Sequence, residues 1–157
     1  MKTELDDFRW LLEGLVYNNQ NLFCILNELK ISNKAEDVYV AGVNLGKAKR
    51  LNVDNKSQKI LVKFDSILSF FIIDETYCNS KEEEIFEGKV LRKYTKSNFK
   101  RYIKKDFSLL FNLHPDLLHY ELITENEVIS VIAQNAPEII EIKNMNVDEL
   151  KQYFLQD

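Results

Sequence analysis

The sequence predicts an α+β domain with a mostly antiparallel sheet of about six to eight strands, helices at both termini and one amphipathic helix in the middle of the chain. Three observations predict this class. Apolar residues recur at helical spacing near both ends, a strand-like period of two dominates the middle, and the βαβ alternation of a parallel sheet is absent. The 157 residues include four glycines, two prolines and no linker-like stretch, so residues 1–157 are expected to form a single globular domain.

The N-terminal segment is predicted to form two helices. Thr3 can cap the first helix, and the apolar residues of Leu5–Val16 recur at helical spacing along one face. Asn18 and Asn19 are expected to end this helix, and a second short helix is predicted over Leu22–Leu29.

Strands are predicted between the terminal helices, separated by polar stretches with turn chemistry. They cover Val38–Val43, Ala48–Val53, Lys59–Phe64, Ile67–Asp74, Lys89–Tyr94, Leu118–Ile123, Glu127–Ala133 and Glu138–Ile142. Asp54–Gln58 is predicted to be the loop of a hairpin. Gly42–Ala48 has three residues rather than four between its glycines and lacks the Ser or Thr of a phosphate loop, so it is interpreted as a tight turn. Ser97 can cap the mid-chain helix, and Asn146 can cap the C-terminal helix.

Composition and charge argue against several functional classes. A net charge of −4 gives no overall attraction to nucleic acid or to an anionic membrane. The N-terminus lacks the basic and apolar segments of a signal peptide, and the longest apolar run, Ile67–Ile73, falls far short of the roughly 20 residues that span a bilayer. Cys24 and Cys78 show no metal-ligand spacing and are interpreted as reduced thiols. A cytoplasmic protein with no metal and no cofactor is expected.

Cations are concentrated between Lys89 and Lys105, where eight of them occur without an acidic residue. On a helix capped by Ser97, the cations fall opposite the apolar side chains. The candidate partner-binding residues in this stretch are Lys93, Lys96, Lys100, Arg101 and Lys104. Three interpretations are open: a solvated face neutralised by the acidic block that precedes it, a docking face for an acidic protein and, in third place, nucleic-acid binding.

Trp10 and Tyr17 form a second candidate partner-binding surface. They are seven residues apart, so on the predicted first helix they lie together on the side opposite its leucines. Trp and Tyr are enriched in binding hot spots, and an exposed pair would anchor a partner. Burial under a neighbouring segment is the alternative.

The sequence contains no recognisable catalytic motif, and neither histidine has a partner at metal-ligand spacing. His119 and Glu121 fall on the same face of a predicted strand, where they can act as an acid/base pair. A surface histidine on a half-exposed sheet is the alternative. A protein that is not an enzyme is therefore favoured, and a hydrolase or small-molecule-binding protein that uses His119 with a nearby acid is the second hypothesis.

Two segments carry a family resemblance. Residues 90–103 read Val-Leu-Arg-Lys-Tyr-Thr-Lys-Ser-Asn-Phe-Lys-Arg-Tyr-Ile, and residues 119–132 read His-Tyr-Glu-Leu-Ile-Thr-Glu-Asn-Glu-Val-Ile-Ser-Val-Ile. They resemble an uncharacterised family of small cytosolic proteins from Bacillus-like bacteria, in which a capped helix precedes a hairpin of this pattern. The resemblance implies an immunity or antitoxin component that neutralises a bacterial toxin. We therefore expect a non-enzymatic protein-binding domain whose partner is another protein.

Overall fold

Two antiparallel sheets pack face to face in the computed structural model, which describes residues 3–77 and 83–142. The first sheet contains β1 (Arg9–Asn18), β2 (Asn21–Val40), β3 (Val43–Asn52), β4 (Lys59–Phe64) and β10 (Glu138–Glu141). The second contains β5 (Ile67–Asp74), β6 (Ile85–Glu87), β7 (Leu91–Lys96), β8 (Leu118–Ile123) and β9 (Glu127–Ala133), in the spatial order β5-β9-β8-β7-β6. The helices are α1 (Asn98–Asp106), α2 (Ser108–Leu113) and two single turns of 3-10 helix, Glu4–Asp7 and Glu75–Tyr77.

The core between the sheets is formed by side chains of β2 and β4 on one side and of β8 and β9 on the other. The ring centroid of Phe64 on β4, for example, lies 6.2 Å from that of Tyr120 on β8. Leu22 on β2 and Ile129 on β9 are fully buried. Burial of a large apolar side chain stabilises a fold by roughly 1.5–3 kcal/mol, so this contact holds the two sheets together.

The two helices cover the outer face of the second sheet. Ile103 on α1 and Phe111 on α2 are buried in one cluster with Ile132 on β9. β8 and β9 are therefore covered on both faces. The sequence of β9 is accordingly apolar from Val128 to Ala133 except at Ser130, whereas β8 alternates and directs His119 and Glu121 to the outer face.

The predicted N-terminal helices are wrong, because the segment forms the hairpin of β1 and β2. Side chains from Leu22 to Leu26 are all buried, and they alternate between the core that faces the second sheet and a smaller cluster on the opposite face. A run of apolar residues that is buried on both faces contains the helical spacings as well as the strand spacing, so periodicity does not separate the two structures.

The Asn18-Asn19 pair does not end a helix but lies at the turn of this hairpin. Asn18 is paired with Asn21, and the two residues between them, Asn19 and Gln20, have φ values of 46° and 64°. A two-residue loop with positive φ at both positions joins antiparallel strands with the correct twist, and asparagine tolerates this conformation.

The predicted mid-chain helix is present as α1. Ser97 caps it, since its hydroxyl accepts a hydrogen bond of 2.8 Å from the backbone N–H of Lys100. The predicted C-terminal helix after Asn146 lies outside the described residues. For residues 3–77 and 83–142, the fold class is therefore corrected to two antiparallel sheets with one substantial helix, in mid-chain, and with strands where the N-terminal helices were predicted.

The strands predicted over Ala48–Val53 and Lys59–Phe64 do not form a hairpin with each other. β3 and β4 both pair with β2, with β4 along its first part and β3 along its second part. Residues 53–58 form a loop between them, in which the Asp54 carboxylate accepts a hydrogen bond of 2.8 Å from the N–H of Lys56. The 20-residue strand β2 thus belongs to the sheet at one end and to a separate two-stranded ribbon at the other.

A core substitution tests this assignment of buried and exposed strands. Ile129→Ala removes a fully buried side chain from the contact between the sheets and is expected to lower the free energy of unfolding by about 2–5 kcal/mol, measured by urea denaturation. Leu45→Ala in the ribbon, where 65% of the side chain's reference surface is exposed, is the control and is expected to change it by less than about 0.5 kcal/mol. Equal losses of unfolding free energy in the two variants would contradict the fold.

Candidate functional site

The second part of β2 and the whole of β3 form a projecting ribbon, which we call the arm (residues 33–52). Every residue of the arm is exposed. Antiparallel pairing runs up to Val40 opposite Val43, and the turn consists of Ala41 and Gly42, with φ values of 49° and 82°. At 3.3 Å per residue, the seven steps from Asn33 to Val40 extend roughly 23 Å. The arm is therefore long enough to contact a partner well away from the two packed sheets.

The arm begins at an irregularity in the pairing of β2 with β3. The register shifts between Ile31 and Ala35, and Ser32 lies in the shift. The Ser32 hydroxyl accepts a hydrogen bond of 3.1 Å from the N–H of Arg50 and donates one of 2.8 Å to the carbonyl of Lys34. A bulge of this kind bends the strand and increases its twist, which directs the arm away from the sheet.

The end of the arm carries an aliphatic surface on one face, which we call the tip patch (Val38, Val40, Val43 and Leu45). Val40 and Val43 are directly paired, and strand alternation places the other two on the same face. Their exposed fractions run from 37% to 65%. The opposite face carries Tyr39, which is 63% exposed. Contiguous exposed apolar side chains are a mark of interaction sites.

Charged side chains occur behind the tip patch, and most of them are cations. The cations of the arm are Lys34, Lys47, Lys49 and Arg50, and its acidic residues are Glu36 and Asp37. Arg50 donates to Glu36 across the strands at 2.7 Å, and both side chains are exposed. The arm is thus net positive, although the whole chain has a net charge of −4.

The cations predicted to form one docking face on α1 are only partly brought together. Lys100 is half-buried and its ammonium donates to the carbonyl of Leu117, while burial and the neighbouring Lys104 lower its pKa. Arg101 donates at 2.8 Å to the side chain of Asn98 on the same helix. Arg101 and Lys104 are exposed.

The two candidate cations of β7 lie apart from this helix face. Lys96 is 3.9 Å from the Glu83 carboxylate. Lys93 is paired with Glu87 on β6, and strand alternation directs it away from the sheet face that α1 covers. Lys93 and the half-buried Lys100 therefore do not share an exposed surface with Arg101 and Lys104.

Trp10 and Tyr17 are not neighbours, because the segment between them is extended. Seven residues of strand separate them by roughly 23 Å, whereas two turns of helix would have placed them on one side. Trp10 is 1% exposed, and its indole N–H donates to the carbonyl of Leu5 at 2.9 Å. Tyr17 is half exposed, with its ring 5.4 Å from that of Phe70. The structure thus places Trp10 in the core and leaves Tyr17 at the surface.

His119 and Glu121 lie together on the outer face of the second sheet, in what we call the buried cluster (Arg92, Tyr94, His119, Glu121 and Ser130). Glu121 is fully buried and accepts hydrogen bonds from the Tyr94 hydroxyl at 2.5 Å and the Ser130 hydroxyl at 2.9 Å. Arg92 approaches its carboxylate to 3.9 Å. These donors are hydrogen-bond partners for a buried carboxyl group, so the buried cluster has an evident structural role.

The imidazole of His119 is enclosed by aromatic rings. Its centroid lies 4.3 Å from that of Tyr94, in a stacked arrangement, and 5.3 Å from that of Phe99 on α1. The side chain is fully buried, so a substrate cannot reach it without displacement of α1. Sequence reasoning paired His119 with Glu121 but missed Tyr94 and Ser130, since only the strand order places them beside the carboxylate.

A half-open groove of about 300 Å³ lies at the end of β7 and β8. Its lining combines aromatic, cationic and acidic side chains and includes Phe8, Arg9, Trp10, Lys89, Arg92 and Glu125. Arg9 and Glu125 form an exposed ion pair at 3.5 Å across it. Arg92 lines the groove and also approaches Glu121, so this residue connects the groove with the buried cluster.

The described residues offer neither a metal-binding cluster nor a membrane-crossing helix. Among residues 3–77 and 83–142, no group of three or more His, Cys, Asp or Glu side chains is placed to hold a metal ion. No helix in these ranges has the length and apolarity needed to cross a bilayer. Cys24 is a free thiol in the core, and burial raises its pKa to about 12, which disfavours the reactive thiolate.

Comparisons of the chain with models of protein families, with curated protein sequences and with solved structures find no match. The resemblance of residues 90–103 and 119–132 to small cytosolic proteins of Bacillus-like bacteria stays a prediction. The described residues themselves offer an exposed arm, a cationic helix end and a groove. Of these three features, the arm exposes the largest number of apolar side chains.

Substitution of Glu121 tests whether the buried cluster is structural. Glu121→Ala leaves the hydroxyls of Tyr94 and Ser130 buried without this acceptor and is expected to lower the free energy of unfolding by about 3 kcal/mol, measured by urea denaturation. Glu125→Ala is the matched control, because it removes a carboxylate whose ion pair with Arg9 is exposed, and its expected cost is below about 1 kcal/mol. A Glu121→Ala variant as stable as the control would show that the buried cluster does not support the fold.

Proposed function

We propose that the chain is a non-enzymatic protein-binding domain of the immunity or antitoxin type, which acts in the cytoplasm by binding and neutralising a cognate bacterial toxin. The observation that carries the proposal is the arm, a projecting ribbon with the tip patch at its end. The toxin partner is proposed on the family resemblance of residues 90–103 and 119–132. The binding role is supported by the arm independently of that resemblance.

The energetics of the tip patch favour its burial against a partner. Covering a valine or leucine side chain contributes roughly 1.5–3 kcal/mol, so the four residues together can supply a substantial part of a specific binding free energy. A two-stranded ribbon is only marginally stable by itself in water. The described residues cover neither face of the arm, so a partner that packs on it would stabilise the arm as well as the complex.

The environment of His119 and Glu121 supports binding in preference to catalysis. Both side chains are fully buried, and the Glu121 oxygens accept hydrogen bonds from Tyr94 and Ser130. An acid/base pair must come within hydrogen-bonding reach of the proton that it transfers. A hydrolase built on this pair would therefore have to open the contact of α1 with the sheet in each catalytic cycle.

Binding of a small molecule is the second candidate function, and the groove is the observation that favours it. Its volume of about 300 Å³ is at the lower end of typical ligand pockets. Phe8 can contact an apolar group there, while Arg9, Lys89 and Arg92 can attract an anionic one. If a variant with an altered tip patch keeps the activity of the unmodified protein in cells, this candidate is favoured over the first.

Polar substitution of the tip patch tests the proposed function. The partner to be tested is a toxin-like protein encoded by the gene next to this one. This product of the neighbouring gene is expected to co-purify with the protein when the two are co-expressed. The triple variant Val40→Thr, Val43→Thr and Leu45→Thr keeps residues suited to strands but removes apolar surface, so it is expected to bind at least about tenfold more weakly. The dissociation constant is measured with the purified pair.

The matched control is Leu109→Thr with Leu113→Thr, which changes two exposed leucines on α2. It is expected to bind the partner as the unmodified protein does. The proposal fails if the neighbouring gene's product does not co-purify with the protein and if deletion of the gene for this chain leaves cells no more sensitive to competing bacterial strains. It also fails if the triple variant binds as tightly as the control.

A further inference from the structure

The outer edge of β3 is an open strand edge. Among the described residues β3 pairs with β2 only, so the backbone groups on its other side have no strand beside them. All ten residues of β3 are exposed. An open edge of this length can accept a further strand through main-chain hydrogen bonds, a recognised mode of peptide binding.

The side chains of β3 differ between its two faces. Lys47 and Lys49 lie on the same face, paired with Asp37 and Ala35 of β2. Val43 and Leu45, nearer the turn, belong to the tip patch on the other face. The alternation reverses between Leu45 and Lys47 because a second register shift leaves one extra residue in β3 at this point. An added strand would therefore meet cations on one face and aliphatic side chains on the other.

The charges of β3 argue against a second copy of the chain as the added strand. The strand contains three cations, Lys47, Lys49 and Arg50, and no acidic residue. In the antiparallel register that pairs residues 43–51 of two copies, Lys47 lies directly opposite Lys47. Like charges in directly opposed positions destabilise strand pairing, and edge lysines are a common protection against self-association.

We infer that the outer edge of β3 binds an extended segment of the partner protein in which acidic and apolar residues alternate, and that this segment adds to the arm as a third strand. The inference rests on the proposed function and specifies how the arm binds its partner. Acidic side chains of the segment lie beside Lys47 and Lys49, and its apolar side chains extend the tip patch. Main-chain hydrogen bonds supply affinity, and the alternating side chains supply selectivity.

A nucleic acid is the competing polyanion, and the arm fits it less well. The aliphatic side chains of the tip patch gain no favourable contact from a charged phosphate backbone. Glu36 and Asp37 lie among the cations, where they repel phosphate. An acidic protein segment uses both the cations and the aliphatic residues. The arm therefore favours the protein segment, and DNA binding becomes an outcome of the test.

The experiment uses the full chain and a capped peptide of four Glu-Val repeats as the probe, with binding followed by titration calorimetry at low salt. The Glu-Val peptide is expected to bind. A peptide of four Lys-Val repeats is not expected to bind, because its charges have the same sign as those of Lys47 and Lys49. Lys47→Glu with Lys49→Glu is expected to weaken binding of the Glu-Val peptide by at least about tenfold, because the charges then repel. Lys104→Glu with Lys105→Glu changes the net charge equally on α1 and is expected to alter the affinity less than about twofold.

The site of addition is measured by the backbone amide signals of β3 in NMR spectra, which are expected to shift and gain protection from exchange when the Glu-Val peptide is added. The inference is overturned if the Glu-Val peptide does not bind or if both peptides bind equally. It is also overturned if the α1 variant loses as much affinity as the arm variant, or if a 20-base-pair DNA duplex binds more tightly than the Glu-Val peptide. If it is overturned while the tip-patch variant still loses the neighbouring gene's product, strand addition is wrong and the proposed function stands.

Discussion

The two sheets are held together by side chains that β2 and β4 direct toward β8 and β9. Leu22 and Leu26 of β2 enter this core, and the alternate residues Phe23 and Ile25 are covered by a smaller cluster on the other face. This packing is available only to the first part of β2, because β1 pairs with it no further than Leu29 and β4 no further than Asn27. The remainder of β2 continues as a strand by pairing with β3 alone, and the arm is the direct result.

This division of one strand between a packed sheet and an open ribbon also divides the molecule functionally. The polar residues capable of acid/base chemistry, His119 and Glu121, are fully buried and are enclosed by aromatic rings and hydroxyl donors. The apolar residues suited to contact a partner lie where the fold provides no cover. In the proposed function, stability and recognition therefore depend on different residues, so that the tip patch can change without loss of the core.

Part of this structure could be predicted from the sequence because it depends on local chemistry. The Ser97 cap defines α1, and the hairpin of β8 and β9 follows from two strand-like runs around a polar turn. The N-terminal strands could not be predicted, since a run buried on both faces satisfies helical spacing equally well. The exposure of Val43 and Leu45 and the arrangement around Glu121 depend on strand order, which local patterns do not specify.

Hydrogen exchange along β2 tests most directly whether the arm is an uncovered extension of the packed sheet. In the free protein, the amides of Leu22–Leu26 are expected to exchange only through global unfolding, while those of residues 35–40 exchange faster by at least about a hundredfold through local opening. Addition of the partner is expected to slow the second group. Equal protection of both groups in the free protein would show that the arm is already covered, and it would contradict the account.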